Sequence, residues 1–571
     1  MNSNLNHNYP LEKGIPLFRD IRELLTVSTE KFADRIAFTY RISGSDKEPQ
    51  RITFRQFYQD VRAIGTHALA DGLTGRHCAL IGRLSYDWIC CYFALLSIGA
   101  VLVPLDREWT EADLVDTVKR AECTHLFCDG DLQRKAEAIC RENGIEAPVC
   151  FGAEWTKPLA TYREEGETLI ADGDTGFDTA PIDPRALALL VFTSGTTGQG
   201  KGVMHNQQAL LHNIYGAYKV LRVFPRTIGL LPPHHTFGST ISILATVCGG
   251  SNMYISSGLR YILQELREHK PQYLILVPLY LETFWRRIWA SAKEGGKDEL
   301  LRKMIKTSEA LRRVGIDMRA TFFKKSVLSA FGGELCMAVS GGAPISQEIV
   351  DGFDALGVTV VNGYGITECA PLIAANRLRF RTPGSVGVAI PDVDVKIMNP
   401  TETGEGEICV KGPNVMMGYY KNAQATVAAI DPDGYFHTGD IGRLDKEGRL
   451  YITGRLKNLI ILSNGKNVYP EEIESQISDM VEGIKDLVVY EGISRRGVEN
   501  NAIVLEVFPD EEYVKREGIE DFEAYLRPYV DRYNRTAVPY KKIGLIRVRT
   551  EEFPKNTLRK ITRFKLDRTI D

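Results

Sequence analysis

The chain has 571 residues, 44% of them hydrophobic and 25% charged, and its formal net charge is −3. A single hydrophobic core stops growing near about 250–300 residues, so this length predicts more than one domain. Nucleic-acid-binding proteins usually carry a basic excess, and this composition argues against that class.

The eleven cysteines form no C-x-x-C pair and no Cys/His spacing typical of a metal site, which predicts reduced thiols in a cytoplasmic protein. Residues 1–8 are polar and lack the basic-then-apolar pattern of a signal peptide. Residues 88–105 carry no charge and are about as long as a minimal membrane span of ~17–20 residues. We interpret them as two core elements, a buried helix capped by Gly99 and a strand closed by Pro104.

Strands and helices alternate through the first part of the chain. An amphipathic helix is predicted over residues 18–32, and the next elements are a hairpin and then a second helix, over 37–40, 52–54 and 55–71. The alternation continues with strands and helices at 78–82, 88–98, 100–103, 111–121, 124–128 and 133–143. This order predicts a doubly wound parallel sheet with helices on both faces. The polar residues 150–183 are interpreted as a connection.

The apolar run 187–192 predicts a buried strand, and it leads into the sequence TSGTTGQGKGV at residues 193–203. Glycines let successive backbone N–H groups approach an anion, hydroxyl side chains add donors, and Lys201 adds a positive charge. We therefore predict a phosphate-binding loop for a nucleoside triphosphate. A flexible Gly/Thr surface loop is the alternative without a ligand.

The P-loop of nucleotide hydrolases is a second alternative, because Gly195, Gly200 and Lys201 fit the spacing G-x-x-x-x-G-K. In that motif the next residue is a Ser or Thr that binds Mg²⁺, whereas this chain has Gly202. We also expect extended chain after Lys201, where a P-loop opens a helix.

Downstream of this loop the predicted elements are a helix over 206–218, a strand over 229–231, a helix over 239–248 and a strand over 273–277. The residues that follow, 286–330, are predicted to be helical and basic. They represent either a solvated helical face or a surface that lies on an anionic membrane. The adjacent His234 and His235 are poor metal ligands if neighbouring side chains point apart on a strand or loop.

Two further predicted strands, 336–340 and 358–361, run into glycine-rich turns. Ligands of open α/β sheets bind beyond the carboxyl ends of the strands. We therefore expect these two turns and the loop at 193–203 to extend from one sheet and to converge on one ligand.

The pattern changes from about residue 384, where short β runs at 393–398, 406–410 and 449–452 predict a small β-barrel or distorted sheet. A smaller α+β unit follows residue 455. It is predicted to contain a hairpin, two helices, two strands and a polar tail, at 459–468, 470–480, 520–533, 484–490, 501–508 and 534–571. The predicted domains are therefore 1–455 and 456–571.

Together and in this order, the motifs TSGTTGQGKGV, NGYGITE, YFHTGD, GRLK and PKNTLRKI resemble the adenylate-forming (AMP-binding) superfamily of acyl-CoA synthetases, luciferases and peptide-synthetase adenylation domains. The resemblance covers nearly the whole chain. In length, in the insert near 286–330 and in the PLYLE run at 278–282, the chain is most similar to bacterial long-chain fatty acyl-CoA synthetases. The implied fold is a large domain of two doubly wound α/β subdomains and a small β-barrel, followed by a small mobile α+β lid domain.

The resemblance assigns a set of residues to ATP and AMP: Thr193, Ser194, Gly195, Thr196, Thr197, Gly198, Lys201, Gly342, Asn362, Gly363, Tyr364, Gly365, Thr367, Asp440, Arg455 and Lys560. Within this set the glycine-rich loop holds the β- and γ-phosphates, Tyr364 stacks on adenine, and Asp440 accepts hydrogen bonds from both ribose hydroxyls.

Catalytic roles fall by the same resemblance on Lys560, Thr196, Lys201 and Glu368, and the metal ligands for Mg²⁺ are Glu368 and Thr196. A plain carboxylate at a helix start is the alternative interpretation of Glu368. The remaining implied roles are the acyl substrate site at His235 and Gly341, the CoA tunnel at Gly465 and Lys466, and the hinge at Lys457.

The last motif departs from the family pattern P-K-T-x-x-G-K-I at two positions, Asn556 and Arg559. Lys560 stays in register with the family's catalytic lysine. Lys555 is the alternative candidate, and a Lys/Arg tail without function is a further one.

The implied function is an ATP-dependent ligase that activates a carboxylic acid, a medium- or long-chain fatty acid, as acyl-AMP with release of pyrophosphate and then transfers the acyl group to CoA. Its implied partners are the acid, ATP with Mg²⁺, and CoA, without nucleic acid, in the cytoplasm or peripheral to a membrane through residues 286–330. One alternative loads the phosphopantetheine of a carrier protein. Another is an ATP-hydrolysing or nucleotide-sensing protein.

Overall fold

Two sets of chain segments cluster separately in the structure, a computed structural model that describes residues 15–152, 157–193, 200–378, 380–462, 467–496, 501–555 and 561–570. The first unit runs to Ile345 and includes Ile349–Asp394 and Lys411–Phe436. The second comprises Ser346–Glu348, Val395–Val410 and His437–Asp571. The domain boundary after residue 455 stays a prediction.

The strands, numbered in chain order, are β1 Ile36–Tyr40, β2 Gln50–Thr53, β3 His77–Ile81, β4 Val101–Leu105, β5 His125–Asp129, β6 Val149–Phe151, β7 Leu187–Phe192, β8 Gly202–Asn206, β9 Arg226–Gly229, β10 Asn252–Ile255, β11 Tyr273–Leu276, β12 Met337–Ser340, β13 Thr359–Gly365, β14 Leu372–Ala375, β15 Val388–Ala389, β16 Asp394–Met398, β17 Gly406–Lys411, β18 Gly418–Tyr419, β19 Phe436–Leu444, β20 Leu450–Arg455, β21 Ile460–Ile461, β22 Asn467–Val468, β23 Ile484–Gly492, β24 Ala502–Pro509 and β25 Ile543–Val548.

The α-helices are α1 Ile21–Phe32, α2 Phe54–Ala70, α3 Tyr86–Ser97, α4 Glu111–Arg120, α5 Gln133–Asn143, α6 Leu159–Ala171, α7 Gly176–Thr179, α8 Gln207–Val220, α9 Ala245–Cys248, α10 Ile262–His269, α11 Pro278–Glu294, α12 Asp298–Arg313, α13 Arg319–Phe323, α14 Gln347–Leu356, α15 Ala423–Ala429, α16 Pro470–Met480, α17 Glu511–Glu517 and α18 Phe522–Thr536.

The first unit contains a seven-stranded sheet in the order β18-β8-β7-β4-β3-β5-β6. Its strands from β7 to β6 run parallel to one another, whereas β8 is antiparallel to β7 and β18 is antiparallel to β8. The predicted parallel α/β arrangement is therefore present, with a hairpin and one short strand added at the edge that carries the glycine-rich loop.

A second sheet of the first unit has the order β11-β12-β13-β14-β15, and a third has the order β2-β1-β10-β9. The expectation that three glycine-rich turns extend from one sheet is wrong, because β7 lies in the seven-stranded sheet while β12 and β13 lie in the second. The glycine-rich segments after β7, β12 and β13 thus belong to two different sheets of the first unit.

The core of the seven-stranded sheet is built on α3, which is buried on all sides except at Asp87. A helix that is apolar all round is typical of a core or a membrane span. Here the uncharged run divides as predicted into α3 and β4. Ser85 caps the N-terminus of α3, and its hydroxyl accepts from the Trp88 N–H. β4 continues through Pro104 to Leu105 instead of ending at the proline. Among the described residues no helix combines the length and the apolar character needed to cross a membrane.

The polar segment 150–183, predicted to be a connection, instead contains the 13-residue helix α6. Tyr162 and Gly166 on this helix are buried. A Cβ atom at Gly166 would lie 1.9 Å from the carbonyl oxygen of Ala63 in α2, so only glycine allows the two helices to approach this closely. The polar composition of the segment gave no indication of this close packing between two helices.

The second unit contains a four-stranded sheet in the order β16-β17-β19-β20, where a small β-barrel or distorted sheet was predicted. A second sheet has the order β23-β24-β25, with β24 antiparallel to β23 and parallel to β25. The region predicted to be a polar tail therefore contributes the strand Ile543–Val548. The predicted hairpin near residue 460 is present as β21 and β22.

Candidate active site

The base of the glycine-rich loop is a β-hairpin. β7 and β8 pair in antiparallel register with Phe192 opposite Gly202, and the Thr193 N–H donates to the Lys201 carbonyl at 3.0 Å. At Gly200 a Cβ atom would lie 2.1 Å from the Thr193 carbonyl oxygen, so this position requires glycine. The predicted phosphate-binding residues of the loop, Ser194, Gly195, Thr196, Thr197 and Gly198, lie outside the described residues.

The chain after Lys201 is extended, as expected, and continues as β8 up to Asn206 before α8 begins. A P-loop instead leads directly into a helix whose N-terminus binds the phosphates. The strand–loop–strand arrangement therefore argues against the P-loop alternative.

Arg120, at the end of α4, contacts both ends of the loop. It was not predicted from the sequence. Its Nη1 donates to the Gly200 carbonyl at 2.9 Å, and its guanidinium lies 5.1 Å from the centre of the Phe192 ring. These contacts join the two ends of the hairpin to a helix of the same sheet.

Tyr419 connects the loop lysine to the predicted metal ligand. β18 pairs with β8 so that Tyr419 lies opposite Val203, and the Lys201 Nζ atom is 4.4 Å from the centre of the Tyr419 ring. The Tyr419 hydroxyl donates to Glu368 Oε1 at 3.0 Å. Burial raises the pKa of Tyr419, and the Glu368 carboxylate raises it further, so this hydroxyl keeps its proton and remains a donor.

His205 ties β8 to the same segment. Its ring is fully buried, and Nε2 lies 2.7 Å from the Thr367 carbonyl oxygen, which can only accept. Burial lowers the pKa of His205 to about 4, although the bond to Thr367 acts in the opposite direction. The imidazole is therefore neutral, with its proton on Nε2, and it holds the backbone next to Glu368.

Two buried asparagines hold the turn that follows Glu368. The Asn213 side chain in α8 donates to the carbonyls of Cys369 and Leu372 at 3.0 and 2.9 Å and accepts from the Leu372 N–H at 3.1 Å. The Asn414 amide donates to the same two carbonyls at 3.2 and 2.9 Å. Buried backbone groups need such partners, so this turn is fixed by side chains from two other segments.

The predicted adenine-binding residues, Asn362, Gly363, Tyr364 and Gly365, are not a loop but the second half of β13. Gly363, Tyr364 and Gly365 pair antiparallel with β14, whereas Asn362 still belongs to the part of β13 that pairs parallel with β12. At Gly365 a Cβ atom would lie 2.1 Å from the Pro371 carbonyl oxygen, so the close pairing requires glycine. Tyr364 is buried, and Thr367 lies in the turn tied to His205.

Of the predicted acyl-site residues, Gly341 directly follows β12, and His235 lies in the segment between β9 and the next helical element. His235 precedes a π-helical segment, Phe237–Leu244, where an α-helix was predicted, and the strand before it ends at Gly229 instead of 231. A Cβ atom at Gly341 would lie 3.1 Å from the Phe237 ring, and Gly342 has a φ angle of +85°. The close Phe237 ring and the positive φ angle thus explain why glycine occupies positions 341 and 342.

The expectation that His234 and His235 point apart is wrong, because their ring centres are 4.1 Å apart. His234 is buried, and burial lowers its pKa to about 4. Its Nε2 atom lies 3.6 Å from Asp106 Oδ2.

In the second unit, β19 and β20 bring Asp440 opposite Arg455, and Arg455 Nε lies 2.9 Å from Asp440 Oδ1. These two residues were predicted to contact the nucleotide. Lys457 follows in a short 3₁₀ turn, Leu456–Asn458.

The other predicted site residues of this unit, Gly465, Lys466 and Lys560, lie outside the described residues. The alternative lysine, Lys555, forms an ion pair with Asp486 at 2.6 Å in which both side chains are largely buried. This pair binds Lys555 to its own unit.

The sequence profile of the AMP-binding enzyme family matches residues 25–420. The chain belongs to this family. It is an adenylate-forming acyl ligase, as the motifs predicted.

Three relatives illustrate the similarity. Long-chain-fatty-acid–CoA ligase 6 of Mus musculus is 36% identical over 424 residues, covering 68% of this chain and 60% of that protein. Long-chain-fatty-acid–CoA ligase FadD15 of Mycobacterium tuberculosis is 28% identical over 452 residues, with 75% and 73% covered. Long-chain-fatty-acid–[acyl-carrier-protein] ligase AEE15 of Arabidopsis thaliana is 26% identical over 588 residues, with 90% and 79% covered.

Solved structures show the same fold. ATP-bound MatB from Rhodopseudomonas palustris superposes with a TM-score of 0.75 at 23% identity, covering 95% of this chain and 97% of that one. The anthranilate CoA ligase AuaEII in complex with anthranoyl-AMP gives a TM-score of 0.77 at 18% identity, covering 96% and 97%. The predicted fold class is thereby confirmed.

The buried, neutral His205 predicts a pH dependence of stability. The unfolded chain takes up a proton near the ordinary histidine pKa of about 6.5, whereas the folded chain does so only near pH 4. The contribution of His205 is therefore complete above about pH 6.5 and is lost as the pH falls towards 4, by about 3 kcal/mol in all.

We expect His205→Gln, which keeps an N–H donor for Thr367, to show a shallower fall in urea-unfolding midpoint between about pH 7 and about pH 4.5. Other buried histidines contribute equally in both proteins and cancel in the comparison. Identical slopes for the two proteins would contradict the assignment of a neutral His205.

Proposed function

We propose that the protein activates a medium- or long-chain fatty acid with ATP as acyl-AMP, releases pyrophosphate, and transfers the acyl group to the thiol of CoA. The observation that carries this proposal is the contact of Lys201 and Glu368 with one side chain, Tyr419. An ammonium group and a carboxylate thus lie against the same tyrosine side chain, next to the end of the glycine-rich loop. This is the arrangement that a triphosphate with its counter-ion requires.

In the first half-reaction a carboxylate oxygen attacks the α-phosphorus, an O–P bond forms, and the bond to the bridging oxygen of the β-phosphate breaks. Positioning and neutralisation of charge dominate such displacements. Lys201 and the loop hydroxyls would stabilise the departing pyrophosphate, and Lys560 would bridge the carboxylate and the α-phosphate.

The site residues fit Mg²⁺, because the Glu368 carboxylate offers the hard oxygen ligands that this ion prefers and is held in place through Oε1. Thr196 would be its second protein ligand. When bound, Mg²⁺ would neutralise phosphate charge. Asp440 and Arg455 would hold the ribose, and Tyr364 the adenine.

In the second half-reaction the CoA sulfur attacks the acyl carbon, the bond to the adenylate oxygen breaks, and AMP leaves while the thiol proton passes to solvent. We propose that the segment 456–571 presents Lys560 for the first step and the Gly465–Lys466 loop for the second, turning about Lys457. Such rearrangements are common where one site serves two steps.

The choice of a fatty acid rests on relatives named as long-chain-fatty-acid–CoA ligases in bacteria and mammals. The second candidate acceptor is the phosphopantetheine of a carrier protein. It is favoured by the relative named as an acyl-carrier-protein ligase, whose similarity covers 90% of this chain.

The proposal is tested by incubating the protein with ATP, Mg²⁺ and a panel of carboxylic acids of increasing chain length, with either CoA or a phosphopantetheinylated carrier protein. We expect pyrophosphate and AMP in equal amounts, dependent on a fatty acid, and thioester formation with CoA. Transfer to the carrier alone would select the second candidate. Orthophosphate released without an acid would reject both in favour of ATP hydrolysis.

Tyr419→Phe tests the contact with Glu368, because it removes the hydroxyl and keeps the ring beside Lys201. Loss of an outer partner of a metal ligand typically costs about 10–100-fold in metal affinity or activity. We expect the Mg²⁺ concentration for half-maximal pyrophosphate release to rise about tenfold or more.

Tyr420→Phe is the matched control, because its hydroxyl bonds Glu122 at 2.6 Å on the surface. It should behave as wild type. An unchanged Mg²⁺ requirement in Tyr419→Phe would remove Tyr419 from the site.

Lys560→Ala tests whether Lys560 acts in the first half-reaction only. We expect acyl-AMP formation to be abolished, since the bridging charge is lost, while thioester formation from preformed acyl-AMP and CoA continues. Both rates are measured separately by pyrophosphate release and by CoA consumption. Equal loss of both would contradict the assignment.

We also propose a peripheral membrane contact through α11 and α12. Both helices expose basic side chains, at Arg286, Arg287, Arg302, Lys303, Lys306 and Arg313. Nearby apolar side chains are exposed as well, with Leu300 at 55%, Val314 at 72% and Ile316 at 48%. Basic and apolar groups on one surface are typical of binding to anionic lipid.

Vesicles containing phosphatidylglycerol should therefore bind the protein more strongly than pure phosphatidylcholine vesicles, and added salt should weaken the binding. Lys303→Glu with Lys306→Glu should abolish the preference. The same charge change at the exposed residues Lys119 and Arg134 serves as control and should preserve it. Equal binding by both variants would contradict the proposed contact.

A further inference from the structure

Three side chains with metal-binding atoms meet in the four-stranded sheet of the second unit: Glu407, Cys409 and His437. Glu407 and Cys409 lie on β17, and His437 lies on the neighbouring strand β19. Residues i and i+2 of a strand point to the same face, so β17 presents a carboxylate and a thiol side by side. The pairing of β17 with β19 then brings the imidazole to them across 28 residues of sequence.

The three ligand atoms all lie within 4.8 Å of one another, close enough to contact one ion. The His437 Nδ1 atom lies 3.4 Å from the Cys409 sulfur and 2.8 Å from Glu407 Oε2. In a tetrahedral zinc site with bonds of about 2.0–2.3 Å, neighbouring ligand atoms are about 3.3–3.6 Å apart. The Nδ1–sulfur distance already falls in this range, whereas His437 and Glu407 would move apart to admit the ion.

Burial gives the cluster a closed and an open side. Cys409 is fully buried, whereas the side chains of Glu407 and His437 are 21% and 29% exposed. An ion would thus enter from solvent past the carboxylate and the imidazole and reach the sulfur at the bottom. The exposed side leaves room for a water molecule as fourth ligand.

We propose that Glu407, Cys409 and His437 bind one Zn²⁺ ion per chain, with water completing the coordination. A thiolate and an imidazole nitrogen favour zinc over Mg²⁺ or Ca²⁺, which prefer oxygen ligands only. Three protein ligands and one open position are typical of zinc sites that exchange water. This inference is independent of the proposed function and concerns a different ion from the Mg²⁺ at Glu368.

Binding changes the protonation of the ligands in a defined way. The thiol proton of Cys409 is released to solvent, because the thiolate is the form that binds zinc. The imidazole would bind the ion through the Nδ1 lone pair and carry its proton on Nε2. One proton is therefore released for each ion bound.

The site is coupled to the strand segment that ends in Asp440. Glu407 Oε1 accepts from the Gly439 N–H at 3.1 Å, and Thr438, in the same segment, donates to the Ile408 carbonyl at 2.7 Å. A bound ion would hold β17 and β19 together at this point. We therefore expect zinc to raise the unfolding temperature of the protein.

The test is equilibrium dialysis of the full chain against buffered zinc, with metal content measured by mass spectrometry. We expect one ion per chain in the wild type. Cys409→Ser and His437→Gln should each weaken binding by more than the about 10–100-fold that loss of an outer partner of a ligand costs, since each removes a ligand itself. Cys336→Ser is the matched control, because Cys336 is a half-buried thiol in the first unit, and it should bind as wild type.

A second measurement keeps the test valid if Cys409→Ser folds poorly. Cobalt replaces zinc in such sites and gives a near-ultraviolet thiolate-to-metal absorption, which we expect in the wild type and in Glu407→Gln at reduced affinity. Calorimetry in buffers of different ionisation enthalpy should report release of one proton per zinc. Absence of zinc and of the cobalt band in the wild type, or equal binding in His437→Gln, would show that the three side chains form a hydrogen-bonded group only.

Discussion

The hydrogen bond from the Tyr419 hydroxyl to Glu368 is the contact on which the account of the site depends. Tyr419 belongs to a two-residue strand added to β8, and its ring also lies against the Lys201 ammonium group. The side chain therefore joins a strand of the seven-stranded sheet to the turn that follows β13. Without it, the charge after the glycine-rich loop and the carboxylate would be held by separate sheets.

The same junction is reinforced by polar groups that are fully buried. His205, Asn213 and Asn414 all reach main-chain carbonyls between Thr367 and Leu372. An unpaired buried polar group costs about 1–3 kcal/mol of folding free energy. Burial of each of these side chains is therefore favourable only when the turn supplies its hydrogen-bond partner. The dependence is mutual, because the turn has carbonyls that need donors. The predicted metal ligand Glu368 thus lies beside a buried polar network, in which His205 stays neutral above mildly acidic pH.

Local pattern predicted much of this fold. The bounds of β7, α5 and α16 agree with those expected from periodicity and flanking glycine or proline residues, since these segments combine strong patterns with clear ends. The same reasoning missed α6, whose burial depends on one glycine against α2, and β25, whose partner strand lies upstream. Neither contact can be recognised from the local sequence pattern.

Some residues of the candidate site could likewise be predicted from the sequence, and others could not. Family motifs located Lys201, Glu368, Asp440 and Arg455, because glycines and charged residues recur there at fixed spacing. They did not locate Tyr419 or His205, which act on Glu368 and Thr367 from 51 and 162 residues away. Cys409 and His437 were likewise overlooked, because their spacing matches no local metal motif and only the pairing of two strands brings them together. Residues that belong to family motifs were thus easier to find in the sequence than the residues that contact them in the structure.

The central claim is that a carboxylate oxygen forms a bond to the α-phosphorus of ATP. It is tested most directly with a fatty acid labelled with ¹⁸O in its carboxyl group, by mass spectrometry of the AMP produced in the presence of CoA. We expect each AMP to carry one ¹⁸O atom, because the thiol displaces AMP together with the carboxyl oxygen that attacked phosphorus. Unlabelled AMP, or label found only in orthophosphate, would contradict it.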